Sequence, residues 1–360
     1  MNQVGESAGP TRASYTSTDP VRRSADASPI VSVIIPAYNA AWSIERTLKS
    51  VQAQSLADFE AFVIDDGSTD DTAARVVAAV GDDPRFRLIR QPNGGVSAAR
   101  NRGLAEARGR YVANLDSDDT WRAEFLARAV SSLEQAGAGA TMAFARSLWI
   151  GKDDTPLGAP PPPLARPVTY RELLLYNPIG NGSATLMRRD AVVACGGWDV
   201  SLVRDFGPTE DWLLQLQLAA RGGVVVVEEP LIHYRITETS ASAALERSAR
   251  AALEVVRRLQ GAQPRLSRLD YWRARSLAML WLLRRAKRSN RPGLMIWLAT
   301  NMYLRNPVWF IDRELREPLV SAARKAVRGL ARLGQNRSRP RQALRDSSTK
   351  AGTVVATPES

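Results

Sequence analysis

The chain of 360 residues predicts an α/β fold, a mostly parallel sheet flanked by helices, with a basic helical region after it. Three observations predict this. Apolar runs of strand length alternate with segments of helical spacing from residue 30 to about residue 115. Acidic or glycine-rich clusters stand at the ends of those runs. Beyond about residue 240 the chain changes to segments rich in arginine and alanine. Strands alternating with helices imply right-handed crossovers and parallel neighbours. In such sheets ligands sit at the carboxyl ends of the strands.

Residues 30–36, Val-Ser-Val-Ile-Ile between Pro29 and Pro36, read as a central strand buried on both faces. Residues 42–54 follow with Trp42, Ile44, Leu48 and Val51 near helical spacing, and residues 59–64 read as a second strand. Residues 70–80 then predict a helix, 85–90 a strand, 97–107 a helix and 110–115 a strand ending at acids. The stretch 153–166, with Pro156 and Pro160 to Pro163, excludes helix and central strand and reads as a loop. Residues 170–176 look helical, 180–187 read as loop into strand, 196–199 as a turn, 210–220 as a helix and 224–227 as a buried strand. The later segments 243–260, 269–287, 294–303 and 311–333 read as helices. No internal repeat marks a solenoid.

Composition narrows the class. Apolar content of 44% is ordinary for a globular protein, and the single cysteine, Cys195, excludes an intramolecular disulfide framework and reads as a small buried apolar residue. The net charge of +12 invites a nucleic-acid reading, but the excess collects toward the C-terminus. From Arg324 to Arg345 there are eight basic residues and no acid, a pattern suited to any anionic surface, whereas the acid clusters lie in the first half. A specific nucleic-acid partner is therefore not expected. Residues 1–29 show no continuous apolar stretch and read as a disordered leader without a secretory signal. Residues 294–311, the most apolar candidate for a span, are broken by Asn301, Arg305, Asn306 and Pro307, so no membrane-spanning helix is expected.

The most informative stretch is Asn114-Leu115-Asp116-Ser117-Asp118-Asp119, three acids in four positions with no basic residue among them. Like charges this close raise one another's pKa unless a cation sits among them, and oxygen-only ligands point to a hard divalent ion, Mg²⁺ or Mn²⁺, that holds a phosphate. The competing reading is a strand end in which Asp119 or Thr120 caps a following helix. Asp65-Asp66-Gly67-Ser68 ends the second strand, as a capped turn or as a carboxylate that accepts from a nucleobase or ribose. Asn93-Gly94-Gly95, with Arg100 a turn into the next helix, suits a nucleotide or a simple helix start. Glu210-Asp211 opens a later helix, where acids also stabilise the positive helix end by roughly 0.3–1 kcal/mol. His233, the sole histidine, is structural or a proton carrier, and the guanidinium of Arg235 suits phosphate oxygens.

Taken together, these pieces resemble the family 2 glycosyltransferases, inverting enzymes of the GT-A fold that move a sugar from a nucleotide-diphosphate donor. The resemblance covers about residues 30–240. It rests on residues 31–39 (VSVIIPAYN), 63–70 (VIDDGSTD), Asn93-Gly94-Gly95 through Leu104, 115–119 (LDSDD), Gly196-Gly197-Trp198-Asp199 and Glu210-Asp211-Trp212, six pieces in order. It implies a Rossmann-like sheet, a UDP-, GDP- or dTDP-sugar donor, and a Mn²⁺ or Mg²⁺ ion. Pro36, Tyr38, Asp65 or Asp66, and Arg100 would line the nucleotide. Asp116 and Asp118 would form the DxD element, with Asp118 on the metal and Asp116 nearer the ribose. Asp211 matches the general base, and Glu210, Trp198, His233 and Arg235 are candidates for diphosphate or acceptor contacts. The chain departs from the family after Arg235, where Ile236-Thr237 replaces a frequent histidine, so a third protein ligand to the metal is in doubt.

The expected organisation is a leader over 1–29, a glycosyltransferase domain over 30–240, a basic helical region over 241–335 and a disordered tail over 336–360. Trp272, Trp281, Trp297, Trp309 and Phe310 stand near arginines, a composition suited to an anionic membrane interface or to packing on the catalytic domain. The interface reading implies a glycan or lipid-linked acceptor, polysaccharide or glycolipid assembly, and a cytoplasmic location, peripheral on the inner face of the plasma membrane. Two alternatives compete. A nucleotidyltransferase lacks support because Pro36-Ala37-Tyr38-Asn39 replaces its glycine-rich basic loop, and a silent nucleotide-sugar-binding module is disfavoured by retention of both Asp118 and Asp211.

Overall fold

A computed structural model describes residues 28–164, 167–237, 245–263, 266–288, 292–303 and 316. The elements run β1 (Val31–Ala37), α1 (Ile44–Gln52), β2 (Phe59–Asp65), α2 (Thr72–Val80), β3 (Phe86–Arg90), α3 (Val96–Glu106), β4 (Tyr111–Asn114), β5 (Thr120–Trp121), α4 (Phe125–Ala136) and β6 (Ala140–Ile150). They continue α5 (Tyr170–Tyr176), β7 (Thr185–Arg188), α6 (Arg189–Ala194), α7 (Val200–Asp205), α8 (Glu210–Ala219), β8 (Gly223–Arg235), α9 (Leu245–Leu259), α10 (Arg268–Arg288) and α11 (Pro292–Tyr303). Contacts divide the described residues into two compact units, with breaks after residues 165, 180, 198, 220 and 236. The helices α5, α7 and α8 therefore group with α9, α10 and α11, although their sequence lies within 30–240.

The first unit holds one eight-stranded sheet in the order β3-β2-β1-β4-β7-β6-β8-β5. Every residue of β1, β2 and β4 is buried, as expected of largely apolar strands covered on both faces. β1 pairs in parallel with β2 on one side and β4 on the other, and β2 with β3. The far half is mixed: β7 runs antiparallel to β4 and β6, β5 antiparallel to β8, and β6 parallel to β8. The sheet is thus less uniformly parallel than the alternating pattern of the first 115 residues implies. The chain leaves β1 toward β2 and β3 and then returns to β4 on the opposite side. That reversal is a topological switch point, which opens a crevice at the carboxyl ends of β1 and β4.

Local chemistry explains the closest packing. α1 turns Ile44, Thr47, Leu48 and Val51 inward. α3 lies against β1 at Gly103, where a Cβ would come within 2.5 Å of Ile34 Cγ2. Gly67 has φ of 78°, and a Cβ there would come within 2.9 Å of the Asn93 nitrogen, so only glycine fits this turn. The buried Glu60 of β2 accepts from Ser32 Oγ (2.7 Å) and from the nitrogen (2.8 Å) and guanidinium of Arg108, which satisfies its charge. Trp42, read from spacing as part of the first helix, lies before it and is exposed.

In the second unit α5 begins at Thr169, whose hydroxyl accepts from the Glu172 nitrogen and donates to its carboxylate, and ends at Asn177 in the left-handed region with φ of 42°. Arg171 of α5 pairs with Asp270 of α10 at 2.8 Å. α11 starts on Pro292, the first-turn position proline favours. Among the described residues no helix is long and apolar enough to cross a membrane. Residues 1–27 of the leader, the tail, the helix expected over 311–333 apart from residue 316, Trp309, Phe310 and the basic run from 324 to 345 lie outside the described residues.

Candidate functional site

Three loops meet the carboxyl ends of β1, β2 and β4. At the end of β1, Pro36 is buried in register with Ile64, and Tyr38 beyond it is 53% exposed. Asn39 adopts φ of 49°; its nitrogen donates to Ser68 Oγ (3.0 Å), and its Oδ1 accepts from the Thr69 nitrogen (2.9 Å). Asp65 pairs with Ala37 in the ladder, and its carboxylate accepts from the Ser68 nitrogen (2.9 Å) and Arg90 Nε (3.0 Å). Asp66 accepts from Gln91 Nε2 (2.7 Å) and from the nitrogens of Gly94 (2.9 Å) and Gly95 (2.8 Å). Both acids therefore fasten the loops around them, and Asp66 shapes the glycine loop. Each carboxylate oxygen has two lone pairs, so these bonds leave acceptor capacity.

Arg100 projects from α3 and is almost fully buried. Its Nε donates to Asn114 Oδ1 (2.8 Å) and its Nη2 to Asp116 Oδ1 (2.7 Å). The structure thus brings together Arg100 and Asp116, two residues assigned to the nucleotide by resemblance, as an ion pair at the end of β4.

Asp118 is in a different electrostatic position. Burial and the charge of Asp116 raise its carboxyl to about 6, against smaller opposing effects from its own backbone N–H and Arg235. The cation of Arg235 is committed elsewhere: Nε donates to the Asp118 carbonyl (2.7 Å), Nη1 to the carbonyls of Gly151 (2.7 Å) and Lys152 (3.0 Å), and Nη2 pairs with Asp154. Arg235 as placed is a buried clamp between the acidic turn and the loop after β6, with all three guanidinium nitrogens engaged, whereas its sequence context suggested a phosphate partner.

Asp119 corrects an expectation. Neither it nor Thr120 caps a helix: Thr120 is in β5, and α4 starts at Phe125 with no side-chain cap. Asp119 is buried and accepts from Ser183 Oγ (2.6 Å) and the Arg235 nitrogen (2.7 Å). Burial, then Asp118 and Asp116, push its carboxyl well above the usual range. His233 lies inside β8 rather than after a strand, opposite Thr120, with Nδ1 3.4 Å from Thr120 Oγ1. Burial and then the charge of Arg122 lower its pKa. Trp198 is buried, its nitrogen donating to Asn101 Oδ1 (2.8 Å) and its carbonyl accepting from Asn101 Nδ2 (2.7 Å), which docks the 196–198 turn on α3.

Glu210 and Asp211 open α8 in the second unit. Glu210 is buried and accepts from the Thr209 nitrogen (3.0 Å). Asp211 is half-buried in the first turn of α8.

A divalent ion suits the acidic turn. A carboxyl held up by burial and a neighbouring negative charge gains most from a cation, and the donors are hard oxygens. Among the described residues no three His, Cys, Asp or Glu side chains form a metal cage. One or two carboxylates completed by substrate phosphates and water are the usual arrangement for Mg²⁺. Asp118, with Asp116 beside it, would hold such an ion.

The mixed sheet flanked by helices, with its switch point between β1 and β4, matches the GT-A fold of solved structures. Residues 32–195 match the model of Glycosyl transferase family 2. The chain is 46% identical over 114 residues to the succinoglycan biosynthesis protein ExoO of Rhizobium meliloti (strain 1021), covering 31% of this chain and 32% of that one. Across curated relatives of this kind the chain spans from 9% to 51% of their length. Among solved structures, S. aureus TarS 1–349 in complex with UDP aligns with a TM-score of 0.54 and 20% identity over 73% of each chain. The mannosyltransferase PcManGT from Pyrobaculum calidifontis, in complex with GDP-Man and Mn²⁺, aligns with a TM-score of 0.51 and 20% identity over 81% of this chain and 83% of that one.

Sequence reasoning missed Ser43, Thr47 and Ser183, whose hydroxyls bond the acidic turn. No motif spacing marks them; only the fold brings them there.

Proposed function

We propose that the chain is an inverting, metal-assisted glycosyltransferase that moves a sugar from a nucleotide-diphosphate donor to an acceptor hydroxyl in polysaccharide or glycolipid assembly. The observation that carries this reading is the Asp116–Asp118 pair at the carboxyl end of β4, beside the switch point, with Asp118 raised to about 6 where a cation would lower it. Tyr38, Asp65, Asp66 and Arg100 bind the nucleotide side of a UDP-, GDP- or dTDP-sugar. Asp118 holds Mn²⁺ or Mg²⁺, and the ion, when bound, supplies positive charge to the departing diphosphate. Asp211 takes the proton of the acceptor hydroxyl as its oxygen forms the bond to the anomeric carbon. The bond from that carbon to the diphosphate oxygen breaks with its electron pair going to the nucleoside diphosphate, and the anomeric centre inverts.

A succinoglycan biosynthesis relative supports a polysaccharide role, and neighbours holding UDP or GDP-Man support a nucleotide-linked donor. The acceptor in this reading is a glycan or lipid-linked sugar at the inner face of the plasma membrane. The exposed Trp281 (50%) of α10 and Ile296 (68%) of α11, with Trp272 and Trp297, support contact with an anionic surface.

The test is a panel of nucleotide sugars with Mn²⁺, assayed against lipid-linked and soluble acceptors, with the product's anomeric configuration read by NMR. An inverted glycoside from one donor is expected; a retained configuration, or transfer of the nucleotide itself, contradicts the reading. Co-sedimentation of the full chain with phosphatidylglycerol vesicles is expected at 0.1 M salt and reduced at about 1 M, where the Debye length is about 3 Å. No association at low salt contradicts the membrane assignment.

A further inference from the structure

The turn that bears Asp116 and Asp118 is fastened from both sides by groups distant in sequence. Ser183, in the residues leading into β7, is fully buried. Its Oγ accepts from the Asp116 nitrogen (3.0 Å) and donates to Asp119 Oδ2 (2.6 Å). One hydroxyl therefore ties the first residue of the turn to the last. The remaining oxygen of Asp119 accepts from the Arg235 nitrogen in β8 (2.7 Å), and the Ser183 carbonyl accepts from Trp121 Nε1 (2.8 Å), which fixes the serine's own backbone.

α1 and its N-cap residue Ser43 supply two further hydroxyls. Thr47 Oγ1 lies 2.9 Å from the Ser117 carbonyl and 2.8 Å from that of Asp119, and Ser43 Oγ donates to the Ser117 carbonyl (2.8 Å). With Arg235 Nε on the Asp118 carbonyl, each of the four residues has a backbone polar group held by a side chain from another element. A site whose supporting bonds lock the backbone presents its ligands at a fixed separation.

We propose that Ser183 is a positioning residue for the metal and diphosphate site, setting the separation of the Asp116 and Asp118 carboxylates by bridging the Asp116 N–H to the Asp119 carboxylate. Thr47 braces the same turn from α1. The inference rests on the functional reading given above. It assigns Ser183 no contact with substrate: its effect passes through the turn.

The experiment uses the full chain with Mn²⁺ and either UDP or GDP as probes. Mn²⁺ affinity at saturating nucleotide is measured by EPR and calorimetry, and nucleotide binding without metal is measured alongside. Ser183→Ala is expected to weaken Mn²⁺ about 10–100-fold, the range for lost outer-shell partners of a metal site. It should broaden the Mn²⁺ EPR signal and weaken metal-free nucleotide binding far less than it weakens Mn²⁺ binding. Ser183→Thr, which keeps the hydroxyl, should recover most of the affinity. Wild-type Mn²⁺ affinity in folded Ser183→Ala overturns the proposal. If that variant does not fold, Thr47→Val decides: weakened Mn²⁺ with intact metal-free nucleotide binding supports the bracing role, and unchanged affinity overturns it. A wild-type chain that binds Mn²⁺ with neither nucleotide overturns the functional reading and the inference with it, a result distinct from a variant that merely matches wild type.

Discussion

Asp118 of the sheet unit and the arginine-paired acids of the helical unit are treated in opposite ways. In the helical unit Glu254 of α9 accepts from Arg257 Nε (2.7 Å) and Arg258 Nε (2.8 Å), and hydrogen bonding to Arg257 first of all lowers its carboxyl to about 2. Arg258 also pairs with Asp199, which caps α7, and Arg171 with Asp270. These carboxylates are neutralised by arginine and fasten helices. At the turn after β4, burial and mutual repulsion raise Asp118, while the nearby Arg235 spends its donors on backbone carbonyls and Asp154. A fold that pairs acids so readily elsewhere leaves this one under-compensated. The difference separates acids that build the fold from the one that the proposed function assigns to a cation.

The largest effect expected from breaking that division is catalytic. Asp211→Asn should lower turnover about 10²–10⁴-fold, the usual contribution of a general base, with donor binding intact. Initial rates beside donor titration check this, and strong residual turnover removes Asp211 from the base role.

The next effect concerns stability. Asp118 is raised from 3.8 to about 6, so between those values the folded chain holds more protons than the unfolded chain, and stability falls as pH rises through that window. In metal-free protein Asp118→Asn should therefore be more stable than wild type at pH 7, by roughly 1–3 kcal/mol, with the gap closing toward pH 4. Urea denaturation at both pH values tests this, and an equal gap at both contradicts it.

Glu254 should behave in the opposite sense. Its folded pKa lies below the unfolded value of 4.5, so its contribution is fully present above about 4.5 and is lost as pH falls toward 2. Glu254→Gln should cost about 0.5–1 kcal/mol at pH 7, a modest figure because its partner Arg257 is largely exposed, and less at pH 3. A pH-independent cost would place its role in packing.

The half of the sheet nearest the switch point was legible because β1, β2 and β4 are buried on both faces, and such strands read as largely apolar runs. β6 was not, since its small residues Ala140, Thr141, Ala143 and Ala145 give neither alternation nor a bulky apolar run. The helices α6 and α7 span six residues each, too short for a periodic signal. At the site, the three acids were legible as a cluster, but their separate roles were not. Asp119 looked like a cap because its partners Ser183 and Arg235 lie 64 and 116 residues away. Arg235 looked like a phosphate ligand because a guanidinium suits phosphate, and only the fold shows its donors committed to Asp118, Gly151, Lys152 and Asp154.

The central claim is that Asp118 is held for a divalent ion that binds with a nucleotide diphosphate. It is tested most directly by calorimetric titration of UDP and GDP into the full chain, with and without Mn²⁺, for wild type and Asp118→Asn. The account predicts that Mn²⁺ tightens binding of at least one nucleotide to wild type and does not tighten it for Asp118→Asn. Equal enhancement by Mn²⁺ in both proteins would contradict it.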